Sequence, residues 1–245
     1  MAAPRFLVPP ELAQAGVGHT IPLPDAAAHH AVRVLRLGVG DALTLFDGTG
    51  GEYAATLARA DRNDVCARID SFDPIERESP LPVTLAQAVA ANDAMDYAVR
   101  KAVELGVAAI QPIVSERSAP LPAAERGDKR LAHWRGIAAA ACEQCGRNRI
   151  PPISPPAPWI EWLAGWTGTG ILLAPGAADS LAALARPMLP VALAIGPEGG
   201  FAAREIDAAR RASFRAVSFG PRVLRTETAT AAALAAMQTL WGDLR

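Results

Sequence analysis

Cysteine is scarce in this chain, lysine nearly absent, and no apolar run is long enough to span a bilayer. Three cysteines, an odd number, argue against a disulfide framework and fit a reducing compartment. The longest uncharged apolar stretch runs from Thr228 to Met237, short of the roughly 20 residues a membrane helix needs. The opening MAAPRFLVPP has no apolar h-region of the secretory type. A soluble, cytoplasmic protein without membrane association is expected. Also missing are a GxGxxG turn, a GxxxxGKS/T loop and a GxSxG elbow, so dinucleotide, nucleoside-triphosphate and serine-hydrolase readings lose their usual support.

The net charge of −1 over 245 residues gives no global case for nucleic-acid binding, but its placement is uneven. Glu125 to Arg149 carries six Lys/Arg against three Asp/Glu, and Phe201 to Arg225 carries six against two. Such stretches either neutralise phosphates or form solvated helix faces. Only Lys101 and Lys129 are lysines. The 51% hydrophobic and 20% charged residues describe a globular chain, large enough to build a core without a metal or disulfide staple.

Two rhythms divide the chain. Over residues 1–75, apolar or alternating runs at Arg5–Val8, Ala42–Asp47, Tyr53–Leu57 and Val65–Ile69 are separated by Asp-Gly and Gly-Gly turns, which predicts a small β-barrel. Residues 76–82, within a polar, Pro-rich stretch that begins at Asp73, make a linker. From 83 to 245 strand and helix patterns alternate. Val83–Ala90, Ala108–Val114, Gly170–Ala174, Val191–Ile195 and Phe214–Phe219 read as strands. A helix capped by Asn92 or Asp93 carries Met95, Ala98, Val99, Ala102 and Leu105 on one face and ends at Gly106. Alternation of this kind implies an α/β domain with a parallel sheet covered on both faces.

Ligands of open parallel sheets bind in loops beyond the carboxyl ends of strands. Three such loops are unusual here: Leu172-Leu173-Ala174-Pro175-Gly176, Ile195-Gly196-Pro197-Glu198-Gly199-Gly200, and Phe219-Gly220-Pro221-Arg222-Val223-Leu224-Arg225-Thr226-Glu227-Thr228. Their glycines let backbone approach a ligand, their prolines fix loop shape, and the helix starts that follow offer free N–H groups. Gly-Pro pairs also make ordinary turns.

With IGPEGGF at 195–201 and FGPRVLRTET at 219–228, the chain closely resembles the RsmE-type 16S ribosomal RNA uracil-N3 methyltransferases of the SPOUT superfamily. KAVELGV at 101–107, SERS at 115–118, AACEQCGRNRIP at 140–151, HAVRVLRLGVG at 30–40 and Phe46-Asp47-Gly48 extend the likeness along nearly the whole chain. The resemblance implies a PUA-like RNA-binding barrel followed by a SPOUT domain with a deep trefoil knot, which is rare among folds. It further implies a metal-independent homodimer. The substrate implied is one uridine near the decoding region of 16S ribosomal RNA, free or in the small ribosomal subunit. S-adenosylmethionine would bind at Leu172, Leu173, Pro175, Gly176, Ile195, Gly196, Pro197, Glu198, Gly199, Gly200, Phe219, Gly220, Val223, Leu224, Arg225 and Thr228. Ala94 stands where relatives often carry Lys, so any role of that Lys is absent.

Methylating uracil N3 requires loss of its imide proton, with charge spreading to O2 and O4, and a cation placed there stabilises it. Arg225 is the first candidate, with an ion pair to Glu198 or Glu227 as its structural alternative. Glu227 or Glu198 could accept the proton. Arg5, Arg33, Arg36, Arg100, Lys101, Arg117, Gln144, Arg147, Arg149 and Arg222 are the expected RNA contacts. Cys142 and Cys145 lack a second ligand pair for zinc and read as helix packing. His133 and Trp134 either stack on a base or, for Trp134, lie in the core. A non-catalytic RNA-binding protein and an α/β enzyme acting on another base or a small molecule remain open.

Overall fold

The computed structural model describes residues 3–62, 64–118 and 124–244, without the side chains of 124–126. Of the basic stretch beginning at Glu125, Glu125 and Arg126 therefore lie outside the described side chains. The chain forms two compact units, Met1–Glu78 with Cys142–Ile150, and Ser79–Ala141 with Pro151–Arg245. Among the described residues no helix is long and apolar enough to cross a membrane.

The first unit is a five-stranded sheet of β1 (Arg5–Leu7), β2 (Thr20–Pro22), β3 (Ala42–Phe46), β4 (Glu52–Asp61) and β5 (Asp64–Asp73), in the order β1-β3-β4-β5-β2. Only β1–β3 is parallel among these pairs. Phe6 from one edge strand and Ile21 from the other belong to one buried cluster with Leu43, Leu45, Leu57 and Ile69. The sheet therefore curls around a single interior. Two short helical segments, α1 (Pro10–Ala13) and α2 (Asp25–His29), are also present. After α2 the chain widens into a π-turn over His30–Val34. It leaves Val34 and Leu35 exposed at 58% and 43%, although their spacing reads as an apolar face.

Cys142–Ile150 belongs to this unit through charge and backbone pairing. Thr49 and Arg149 form an isolated antiparallel bridge. Arg5 donates to Asn148 Oδ1 at 2.6 Å, and Asn148 Nδ2 donates to Ile75 O at 2.8 Å. Arg147, one of the expected RNA contacts, is engaged within the fold. It is 4% exposed and its guanidinium binds Glu78 through Nε at 3.0 Å and through Nη2. A buried charge persists only when paired, and Glu78 supplies that pairing. Burial also pushes the Cys142 thiol up to about 12.

The second unit is an all-parallel, seven-stranded sheet. Its strands are β6 (Val83–Ala88), β7 (Ala109–Val114), β8 (Ala157–Pro158), β9 (Thr169–Leu173), β10 (Asp179–Ser180), β11 (Val191–Ile195) and β12 (Phe214–Ser218). Their order is β10-β12-β9-β11-β6-β7-β8. All five residues of β11 are buried, which is how a strand covered on both faces reads. The helices are α3 (Asn92–Glu104), α4 (Ala124–Cys145, its last residues in the first unit), α5 (Trp159–Gly165), α6 (Ala203–Arg211) and α7 (Thr226–Trp241). The cap of α3 is Ala91, with no side-chain bond, rather than Asn92 or Asp93. Val103, not Leu105, completes its buried face. Trp134 is core, with the Arg130 guanidinium 5.1 Å from its ring centre, and His133 pairs with Asp96 at 2.8 Å.

One carboxylate of the first unit, held between two arginines, leads to an expected pH dependence. Glu52, 17% exposed, accepts from both Arg77 and Arg5. Hydrogen bonding to Arg77 is the largest influence, opposed by burial and reinforced by Arg5, and it lowers the carboxyl from 4.5 to about 2. A depressed folded-state value stabilises fully above the unfolded value and is lost as pH falls through the folded one. Between pH 4.5 and about 2 the wild type is expected to lose stability progressively. In Glu52→Gln that component should be missing from denaturant melts taken across the same range. Parallel acid limbs for the two proteins would contradict it.

Candidate functional site

Strand order explains why three loops far apart in sequence meet. β12, β9 and β11 are consecutive neighbours and parallel, so their carboxyl ends point the same way, side by side. The chain leaving β9 passes Ala174 and Pro175, that leaving β11 passes Gly196 to Phe201 before α6, and that leaving β12 passes Phe219 to Leu224 before α7. Together they enclose a cavity of about 330 Å³.

Of the expected cofactor residues, Leu173, Pro175, Ile195, Gly196, Pro197, Glu198, Gly199, Gly200, Phe219, Gly220, Val223 and Leu224 line this cavity. Leu172 is buried in the sheet beneath, and Gly176, Arg225 and Thr228 lie off the lining. Ala174 and Thr226 of the same loops, Arg222, and Phe201, Ile206, Val217 and Ala229, which were outside the expected cofactor set, complete the walls. The aliphatic and aromatic side chains form an apolar surface. Polar groups come from backbone, from the Glu198 and Arg222 side chains and from the start of α7, whose first N–H groups have no partner within the helix.

Two glycines shape the cleft. Gly200 and Gly220 have φ of +66° and +75°, and a Cβ built on either meets no atom within 4 Å. Space is open beside them, and the left-handed backbone disfavours any side chain that would fill it.

A buried polar network fixes the start of α7. Gln87 pairs in register with Ile195, which brings its fully buried amide beside Gly196. Its Nε2 donates to Thr226 Oγ1 at 3.0 Å, and Thr226 Oγ1 donates to Gly196 O at 2.7 Å. Thr230 Oγ1 donates to Gln87 Oε1 at 2.5 Å, with Thr226 O also in reach at 2.9 Å. One amide thus joins β6, the loop after β11 and the first turn of α7. An amide within the mostly apolar run of β6 was the available sequence signal.

The charged candidates separate. Arg225, the N-cap of α7, is exposed and makes no ion pair with Glu198 or Glu227 among the described residues. Glu198 is exposed on the cleft and Glu227 is half-buried in the first turn of α7. Arg222 is exposed on the lining. Arg117 donates to Gly199 O at 2.8 Å, Lys101 pairs with Glu104 at 2.7 Å, and Arg100 is exposed on α3. In the first unit Arg33, Arg36 and Gln144 are exposed, Arg149 pairs with Glu76 at 3.0 Å, and Arg5 is half-buried against Glu52.

The fold and this cleft define an RNA methyltransferase with an accessory RNA-binding unit. Residues 77–238 match the family model of the RNA methyltransferase domain, and residues 23–70 match that of the RNA methyltransferase PUA domain. The chain belongs to the ribosomal RNA small subunit methyltransferase E family. It is 33% identical to that protein from Buchnera aphidicola subsp. Schizaphis graminum over 93% of this chain and 94% of the relative. The Neisseria gonorrhoeae member, solved bound to S-adenosyl methionine, superposes with a TM-score of 0.91 at 41% identity over 100% of both chains. A methyltransferase from Legionella pneumophila, solved with the same cofactor, gives 0.94 at 36%, again over 100% of both.

Gln87→Leu keeps the size of the side chain but strips Thr226 and Thr230 of their buried partner. The Gly196 and Thr226 carbonyls still accept from those hydroxyls, so each lost bond to Gln87 costs about 0.5–1.5 kcal/mol, and urea unfolding should show a drop in stability of that order. A Gln87→Leu midpoint equal to wild type would remove the network from the stabilising interactions of this domain.

Proposed function

We propose that this chain transfers the methyl group of S-adenosylmethionine to N3 of a uridine in 16S ribosomal RNA of the small subunit. The observation that carries the reading is the convergence of three strand-end loops on one glycine-flanked apolar cleft. The residues suit the cofactor. Leu173, Phe201, Val217 and Leu224 offer apolar walls, and the open space beside Gly200 and Gly220 admits a ligand against bare backbone. When bound, S-adenosylmethionine supplies an electrophilic methyl group carried on a sulfonium.

The chain's own residues would supply orientation and charge. Uracil N3 becomes nucleophilic only when its imide proton leaves. Glu198 lines the cleft and is exposed, so it is the carboxylate placed to accept that proton. Arg225 stands between Leu224 and Thr226, both on the lining, with no ion pair of its own among the described residues to neutralise it. Its guanidinium and the N-terminus of α7 favour the negative charge that develops on the uracil oxygens. Exposed Arg222, Arg33 and Arg36 are available for phosphates. The reading includes the knotted topology, the homodimer and the cytoplasmic location expected of the family. It also includes the domain division of a PUA-like barrel, a linker and a SPOUT domain.

Purified protein should bind S-adenosylmethionine saturably in calorimetry. With labelled cofactor it should convert uridine to 3-methyluridine in 16S ribosomal RNA from a deletion strain, as read by nucleoside mass spectrometry. Label on another base, or none, would overturn the assignment. Arg225→Ala should lower turnover by about 10²-fold or more with cofactor affinity and circular dichroism unchanged. Wild-type turnover in that variant would remove Arg225 from the chemistry. Glu198→Gln should lose rate while Glu227→Gln keeps it, and the reverse pattern would move the proton acceptor to Glu227.

A further inference from the structure

The helix that follows the second loop begins without an ordinary cap. Its N-cap is Ala202, which has no side-chain acceptor. Glu205, three residues on, instead reaches back, and its Oε2 accepts from Ala202 N at 2.9 Å. Capping alone does not account for the rest of this side chain. Glu205 is only 4% exposed, and its second oxygen, Oε1, accepts from Glu116 N at 2.9 Å. Glu116 sits 89 residues earlier, in the Ser115–Ser118 turn after β7. One buried carboxylate therefore ties together loops that leave different strands.

That turn is rigid in its own right and reaches the cleft from outside. Ser118 Oγ accepts from Ser115 N at 3.0 Å, and Ser118 N donates back to Ser115 O at 3.1 Å. From the turn, Arg117 donates to Gly199 O at 2.8 Å. Its side chain lies so close over Gly199 that an added Cβ would approach Arg117 Cβ and Cδ at 3.3 Å. Glu116 in turn pairs with Arg204 on α6 at 2.8 Å. The span from Gly199 to Ala202 is thus held at a carbonyl by Arg117 and at an N–H by Glu205. Within it, Gly199, Gly200 and Phe201 line the cavity.

We infer that Glu205 is a positioning residue for the cofactor cleft, its carboxylate clamping the Ser115–Ser118 turn to the loop after β11. The inference rests on the proposed binding of S-adenosylmethionine there. The chemistry favours a carboxylate specifically. It presents acceptors on both oxygens, whereas an amide has one acceptor and one donor. Glutamine would therefore set an N–H against an N–H at Ala202 or Glu116. Burying a carboxylate is costly without such bonds, and the two backbone donors and the α6 N-terminus offset that cost. Glu205 touches neither cofactor nor substrate in this role and acts through the backbone it holds.

Glu205→Gln should raise the Kd for S-adenosylmethionine at least tenfold by calorimetry. The KM for the cofactor should rise in step, with the KM for RNA and kcat near wild type. Val83→Ala, a core change at the amino end of β6 and so at the end of the sheet opposite the cleft, provides a destabilised comparison and should keep wild-type affinity. A second variant separates the clamp from a mere helix cap. Glu116→Pro deletes the N–H that Oε1 accepts and leaves the Ala202 bond in place, and it too should weaken cofactor binding tenfold. Wild-type affinity in Glu116→Pro, or affinity in Glu205→Gln no weaker than in Val83→Ala, would overturn the inference. If Glu205→Gln fails to fold, Glu116→Pro decides alone. Failure of the wild type itself to bind the cofactor would remove the underlying reading instead, so the two failures are distinct.

Discussion

The buried amide of Gln87 is the constraint on which the rest of the catalytic unit depends. A parallel sheet aligns strand ends but does not specify how the chains beyond them are held. Here the task falls to one side chain, which bonds the hydroxyls of Thr226 and Thr230 while Thr226 passes a bond on to the Gly196 carbonyl. The side chains of Gln87, Thr226 and Thr230 are buried, and the arrangement that satisfies one satisfies all. The position of the α7 N-terminus relative to the Gly196–Phe201 loop follows from this closure. So does the station of Arg225 at the cap of α7.

Long strands and loops were legible in the sequence because their signals are local. Val191–Ile195 is a strand with the same bounds in pattern and in structure, and Phe214 to Ser218 differs from expectation by one residue. The three loops stood out because glycine and proline have conformational consequences that neighbours do not alter. What escaped was set by distant partners. β2, β8 and β10 are two or three residues long and exist as strands only through pairing with β5, β7 and β12. Glu205 escaped because its cap position is an alanine, which breaks the pattern that would have flagged a carboxylate three residues on. Arg147 was read as an RNA contact from its basic neighbourhood. Its carboxylate, Glu78, lies 69 residues earlier, and no local signal connects the two.

The arginines show how weakly composition reports function. Several of those clustered in sequence are engaged by acidic partners within the fold. Arg5 and Arg77 share Glu52, Arg147 holds Glu78 and Arg149 holds Glu76. These cations are engaged in holding the first unit together. In that same unit, Arg33 and Arg36 stand exposed beside Val34 and Leu35. In the second unit Arg222 and Arg225 stand exposed near the cleft. An RNA-facing surface of this chain is therefore a matter of which few guanidinia escape internal pairing, rather than of how many the chain contains.

A cleft made chiefly of backbone and apolar side chains places particular demands on its surroundings. Charged lining residues could hold a ligand through a mobile loop, because Coulomb attraction tolerates displacement. Backbone donors, glycine gaps and van der Waals walls do not, since their contribution falls steeply with small errors of position. The shell behind the lining must then carry the precision, and this shell is where the molecule places its buried polar groups. Gln87 and Thr230 brace the start of α7, while Glu205 and the Ser115–Ser118 turn brace the loop after β11. Both braces end on backbone atoms of the same loop, the Gly196 carbonyl and the Ala202 N–H. The cost of burying an amide and a carboxylate in an otherwise apolar domain is thereby converted into the geometry of one loop. That conversion explains why these polar residues lie behind the cleft and not on its surface.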